Sequence, residues 1–115
     1  MMSTAGQPSV LPEPVERFVA AINDADTDGF VACFTDDGYV DDWRRVLTGP
    51  HGVRSWANSD AIGAGAQMTI LSVDTDGDTV TTWFSWRSRV FNGESTGIFT
   101  LSGGRIASFT IPPKH

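Results

Sequence analysis

At 115 residues the chain has the size of one domain, able to bury roughly two-thirds of the surface that its unfolded form exposes. Fourteen carboxylates against eight Lys and Arg give a net charge of −6, and with no basic stripe this argues against nucleic acid, whose phosphates need clustered cations. A single cysteine, Cys33, rules out an intramolecular disulfide and points to a reducing, cytoplasmic setting.

The run from Met1 to Pro12 has neither a basic start nor a long apolar stretch, so it reads as a flexible tail rather than a secretory signal. No later segment approaches the roughly 18 apolar residues of a membrane span. One domain is expected from Glu13 to about Pro112. From Pro14 to Ala25, Val15, Phe18, Val19 and Ile22 recur at three- and four-residue spacing, which predicts an amphipathic helix. Pro14 and the carboxylates of Glu13 and Glu16 suit its first turn.

A second, short helix is expected from Thr27 to Phe34, with Asp26 or Thr27 as its N-cap. Asp36-Asp37-Gly38 reads as its stop. Within that helix Cys33, between Ala32 and Phe34, reads as a buried small hydrophobe. Tyr39 to Asp42 and Arg44 to Leu47 read as short strands, and Gly49-Pro50 opens a third helix that runs to about Ser59 with Val53, Trp56 and Ala57 on one face.

Beyond Gln67 the chemistry becomes that of strands: Met68 to Val73, Thr79 to Phe91, Glu94 to Leu101 and Arg105 to Ile111. Turn signals lie between them, at Asp74 to Asp78, Asn92-Gly93 and Ser102-Gly103-Gly104. Helices followed by a meander define an α+β layout, with the helices on one face of an antiparallel sheet. The acidic turn at Asp74, Asp76 and Asp78 lacks the spacing of a calcium loop, so no metal is expected. Gly63-Ala64-Gly65-Ala66 follows a helix and precedes a strand, the reverse of a phosphate cradle, so no cofactor is expected either.

The segment Phe34-Thr35-Asp36-Asp37-Gly38-Tyr39-Val40-Asp41-Asp42, set in this order of elements, resembles the SnoaL-like and ketosteroid-isomerase-like families of the nuclear transport factor 2 (NTF2-like) superfamily. Gly49-Pro50-His51-Gly52-Val53-Arg54-Ser55-Trp56 is similar to the family's third helix. Gly103-Gly104-Arg105-Ile106-Ala107-Ser108-Phe109 is similar to its last hairpin. The resemblance spans Pro14 to Ile111 and implies a cystatin-like/NTF2-like cone enclosing a pocket for small apolar molecules. That fold hosts isomerases, cyclases, dehydratases, hydrolases and proteins with no reaction, so it does not name a chemistry.

In ketosteroid isomerases the acidic residue closing the first strand is the general base, and that position falls on Asp42. The tyrosine and late-strand aspartic acid of their oxyanion hole fall on Phe18 and approximately Thr96. Phe18 cannot donate a hydrogen bond, which argues against steroid isomerisation. The cyclases' acid–base aspartate comes from later strands, and this chain has no aspartate beyond Asp78. Neither His51, at a helix start, nor His115, the last residue, suits a histidine-based dehydratase.

Strand alternation selects the same residue independently, since Val40 marks the apolar face and Asp42 shares it while Asp41 points the other way. Among aromatic side chains such a carboxylate would lose hydration, gain a higher pKa and serve as an acid or base near neutrality. The alternative is that Asp42 accepts backbone hydrogen bonds or pairs with Arg44 or Arg45. The expected pocket comprises Phe18, Phe34, Val40, Trp56 and Trp86, with Asp60 as a second, weaker carboxylate candidate. Tryptophans on both faces of the strand Thr79 to Phe91 suggest that a second copy covers the face opposite the helices, as family members often form homodimers. Two functions remain open: an acid–base isomerase, cyclase or hydrolase on a polyketide- or steroid-like substrate, and a non-catalytic apolar-ligand-binding or dimerisation module.

Overall fold

The computed structural model describes residues 11–113; most of the expected N-terminal tail, residues 1–10, lies outside the described residues. Two helices open the fold, α1 (Glu13–Asn23) and α2 (Thr27–Ala32). Pro14 sits in the first turn of α1, where its missing N–H costs nothing, and Val15, Phe18, Ala21 and Ile22 form the buried stripe. Asp26 caps α2 by accepting a hydrogen bond from Gly29 N at 3.0 Å. Asn23 fastens the end of α1 to the sheet as a strand residue would: its Oδ1 accepts from Met68 N at 2.7 Å and its Nδ2 donates to Met68 O at 2.9 Å.

Strands β1 (Phe34–Asp42) and β2 (Arg45–Thr48) follow, then α3 (Gly49–Asp60) and a single 3-10 turn, Ile62–Ala64. Strands β3 (Gln67–Asp76), β4 (Thr79–Arg87), β5 (Asn92–Ser102) and β6 (Arg105–Ile111) complete an open, curved sheet ordered β2-β1-β6-β5-β4-β3. All pairings are antiparallel except that of β1 with β6, which is parallel. The helices pack on one face, as the α+β reading expects.

Two local expectations are corrected. Helix α2 stops at Ala32, and Asp36-Asp37-Gly38 lies inside β1 instead of ending a helix. These residues form a bulge: Phe34 pairs with Ile106 and Tyr39 with Ser108, so a five-residue step on β1 spans a two-residue step on β6. A Cβ on Gly38 would lie 3.0 Å from the Ile106 carbonyl oxygen, a tight approach that glycine relieves where the strands come together. Strand β4 ends at Arg87 rather than Phe91, because Ser88 turns the chain. Its Oγ accepts from Val90 N at 3.2 Å and Phe91 N at 3.0 Å, replacing ladder bonds with a local turn.

The core between helices and sheet is aromatic. Phe18 is fully buried, with ring centroids 4.8 to 5.0 Å from Phe30, Phe99 and Phe109, the Phe99 ring edge-on at 88°. Such tilted pairs add to the roughly 1.5–3 kcal/mol that burial of each large apolar side chain contributes. On β4, Val80, Thr82, Phe84 and Trp86 face the core while Trp83 faces outward, which settles the two tryptophans onto opposite faces. Among the described residues no helix is long and apolar enough to cross a membrane.

Candidate functional site

A cavity of about 340 Å³ opens between α3 and the sheet, at the edge of the aromatic core. Its floor is Phe84 and Trp86 of β4, Ser95 of β5 and Ile111 of β6. Trp56 and Asp60 of α3, four residues apart and so on one helical face, form the wall above. Asp42 ends β1 beside Ile111, its parallel partner. Trp43, Val90 and Phe91 surround the mouth and are 50%, 64% and 47% exposed.

The carboxylates meet at one side of this space. Trp56 Nε1 donates to Asp42 Oδ2 at 3.0 Å, and Arg45 Nη2 stands 3.6 Å from the same oxygen. The same guanidinium nitrogen bonds Asp60 Oδ2 at 2.8 Å. Arg45 thus bridges two side chains that are 20% and 29% exposed. Among the described residues Asp42 Oδ1 takes no hydrogen bond, so one oxygen of this cavity-lining carboxylate is held and the other is unengaged. Asp60 Oδ1 accepts the Ser59 hydroxyl.

The turn that delivers Asp42 and Arg45 is strained. Asp42 and Arg45 pair across a two-residue hairpin turn in which Trp43 and Arg44 both have positive φ, 55° and 71°. This is the mirror-image turn that matches sheet twist and that Asn-Gly normally supplies. Side-chain-bearing residues in that region cost of order 1–3 kcal/mol each and persist only when surroundings fix them. Here Asp41 Oδ1 accepts from Arg44 N at 2.9 Å and Trp43 N donates to Ile111 O at 2.9 Å.

Of the residues expected at the site, Asp42, Trp56, Asp60 and Trp86 line the cavity together. Phe18, Phe34 and Val40 instead lie inside the core, packed between the helices and the sheet, and do not line it. Asp41 faces away, as alternation requires, and caps the hairpin. Thr96, the approximate late-strand position, pairs with outward-facing Trp83, whereas its neighbour Ser95 pairs with inward-facing Phe84 and lines the cavity. Ser95, Trp43, Val90, Phe91 and Ile111 were not legible as site residues; the inward run Ser95, Gly97, Phe99 on β5 was the available signal for Ser95. Cys33 is buried near α1 and its thiol donates to Gly29 O at 3.2 Å. Burial pushes its pKa above 9.0, with Arg17 acting in the opposite direction.

An open sheet wrapped by N-terminal helices around a cavity is the architecture of the NTF2-like cone. The SnoaL-like domain model matches residues 15–109, and the chain belongs to that family. It is similar in structure to a proposed polyketide cyclase from Sinorhizobium meliloti, with 26% identity over 91% of this chain and 98% of that one and a TM-score of 0.80. A hypothetical protein with a ketosteroid isomerase-like fold from Catenulispora acidiphila, in complex with trimethylamine, shares 21% identity over 91% and 88% of the chains at a TM-score of 0.78. The epoxide hydrolase/cyclase-like enzyme SalBIII, of pyran ring formation in the polyether salinomycin, shares 21% over 87% of each chain at 0.77. No functionally curated protein matches the chain in sequence.

Proposed function

We propose that this SnoaL-like protein binds a small apolar molecule in the cavity beneath α3 and moves a proton on it, with Asp42 as the acid–base group. The observation that carries this reading is the asymmetric carboxylate of a cavity-lining residue: Oδ2 is anchored by the Trp56 indole and Arg45, which leaves Oδ1 without a protein partner among the described residues and so available to take a proton and return it. A base held in one orientation avoids reorganisation when the proton moves. Isomerisation, cyclisation and hydrolysis all fit such a step, and the fold likeness to a proposed cyclase and to an epoxide hydrolase/cyclase-like enzyme supports the same range. The Arg45 bridge favours the second reading, a non-catalytic ligand-binding module in which Asp42 is a structural ion pair.

The outer sheet face carries exposed Tyr39, Val46 and Trp83, which supports a homodimer through that face, with the single Cys33 suiting a reducing cytoplasmic compartment. A solution mass equal to one chain removes the dimer. The acid–base reading is tested with small cyclic ketones such as 2-tetralone in deuterated buffer, following exchange of the protons beside the carbonyl by NMR. General-base catalysis contributes typically 10²–10⁴-fold, and Asp42→Asn abolishes that share. Exchange no faster than in buffer, from a protein that still binds the ketone, removes the base and leaves the binding module.

A further inference from the structure

Three buried polar residues occur among the described residues, and only one of them both lacks a hydrogen-bond partner and lines the cavity. Thr82 is 2% exposed and donates to Gly97 O at 2.8 Å. Ser108, 6% exposed, likewise makes no side-chain hydrogen bond with any described residue, but it lies on the opposite sheet face with its partners Tyr39 and Thr100, away from the cavity. Ser95 is 6% exposed, lines the cavity, and makes no side-chain hydrogen bond with any described residue. A buried hydroxyl without a partner carries a desolvation cost, so such groups are rare in folded proteins unless something else satisfies them. Of the residues lining the cavity with Ser95, the side chains of Phe84, Trp86 and Ile111 offer it no acceptor, and neither the Asp42 nor the Asp60 carboxylate is hydrogen-bonded to it.

We infer that Ser95 is the specificity-determining contact of the cavity, pairing with one oxygen of the ligand, a hydroxyl or a carbonyl, at the end remote from Asp42. The inference rests on the ligand-binding reading above and deepens it by naming the ligand class. Asp42 stands on β1 and Ser95 on β5, with β6 between them, so two strand spacings, roughly 10 Å, separate their backbones. The cavity of about 340 Å³ lies at the low end of the roughly 300–1,000 Å³ typical of ligand sites. It offers the room of roughly eleven waters at about 30 Å³ each. The ligand is therefore compact: one or two rings, largely hydrocarbon, carrying an oxygen at Ser95 and its reactive position toward Asp42. A serine hydroxyl both donates and accepts, so either form of oxygen satisfies it.

The test compares 2-naphthol with 2-methylnaphthalene, which differ by a hydroxyl in place of a methyl, by NMR titration of the Trp86 indole resonance in the full chain. The diagnostic quantity is the ratio of the two affinities, because the hydroxyl also loses hydration on binding. Ser95→Ala is expected to shift that ratio against 2-naphthol by about 5- to 30-fold while leaving 2-methylnaphthalene binding within about twofold. An unchanged ratio, or equal loss for both ligands, overturns the role of Ser95 and leaves the cavity as a binding site. A ratio unmoved by Ser95→Ala but moved by Asp42→Asn likewise overturns it, by placing the oxygen at the carboxylate. Failure of the wild type to bind either probe overturns the ligand-binding reading and this inference with it. Without ligand, Ser95→Ala is expected to melt at or above the wild-type temperature, since no protein hydrogen bond is lost. A fall of more than about 4 °C, the effect of roughly 1 kcal/mol in a domain near this size, shows the hydroxyl to be satisfied by the fold and also overturns the inference.

Discussion

Replacing Trp56 by Phe removes the indole N–H that holds Asp42 while keeping an aromatic ring in the core. Trp56 is 1% exposed and lies between Phe30, Trp86 and Phe109, with centroids 5.8 to 5.9 Å away. The hydrogen bond to a carboxylate contributes about 1.5–3 kcal/mol. Full truncation of a buried Trp costs about 3–5 kcal/mol, so losing part of the ring adds roughly 1–2 kcal/mol. Trp56→Phe should therefore destabilise the fold by about 2.5–5 kcal/mol, a large share of the roughly 5–15 kcal/mol typical of a domain. Urea unfolding of Trp56→Phe, Asp42→Ala and the double variant separates the two contributions, because packing cancels in the cycle. The coupling should be about 1–3 kcal/mol, reduced from the full value by the solvent that reaches Asp42. A coupling below about 0.5 kcal/mol would refute the anchoring of Oδ2, and with it the fixed orientation of the base.

The hairpin turn and the buried thiol give two further expectations. Arg44→Gly relieves one of two adjacent positive-φ side-chain residues and should stabilise the protein by about 0.5–1 kcal/mol after the extra unfolded-state entropy of glycine is counted; thermal melting at neutral pH reads it, and a lowered melting temperature counts against strain at this turn. For Cys33 the folded pKa lies above the ordinary 9.0 because burial disfavours the thiolate. The unfolded chain therefore loses this proton first as pH rises, so the thiol's contribution to stability is complete below about pH 9 and lost as pH climbs toward the folded value. Urea unfolding between pH 8 and 10.5 should show this decline in the wild type and a shallower one in Cys33→Ala; identical slopes would exclude the thiol as its source.

Helices α1 and α3 and the β3 to β6 hairpins are legible in the sequence because their determinants are local. The stripe from Val15 to Ile22 repeats at helical spacing, and glycines mark the turns at Gly77 and Gly103, whereas Asn92-Gly93, expected as a turn, pairs with Arg87 and Trp86 inside β5 and the turn lies at Ser88 to Phe91. Asp36-Asp37-Gly38 misleads because its glycine serves a neighbour distant in sequence: the bulge exists only once β6 lies alongside. Alternation carries the strand on to Phe91, since nothing in that pattern reveals that the Ser88 hydroxyl will intercept two backbone N–H groups. At the site, alternation places Asp42 correctly relative to Asp41, but it gives the face of a residue and not its depth. Phe34 and Val40 share the cavity's face of the sheet and Phe18 projects toward it from α1, yet all three are buried in the core and do not line the cavity. Ser95 was invisible for a different reason: a hydroxyl's lack of a partner is a property of the assembled surroundings.

The parallel pairing of β6 with β1 bears on how the molecule is assembled during synthesis. The last strand of this sheet in chain order occupies an interior place in it, joining the β1–β2 hairpin and α3 on one side to the β3–β4–β5 meander on the other. Until it arrives, each half presents a bare edge of unpaired amides and carbonyls, and no continuous sheet exists to receive Phe18 and Phe30. Cooperative closure must therefore wait for Arg105 to Ile111 to leave the exit tunnel, and the contacts they make reach back some seventy residues, to Phe34, a topology that favours slow folding. In that interval the nascent chain depends on the speed of its own final turn, at Gly103-Gly104, to deliver the strand before its edges find other company.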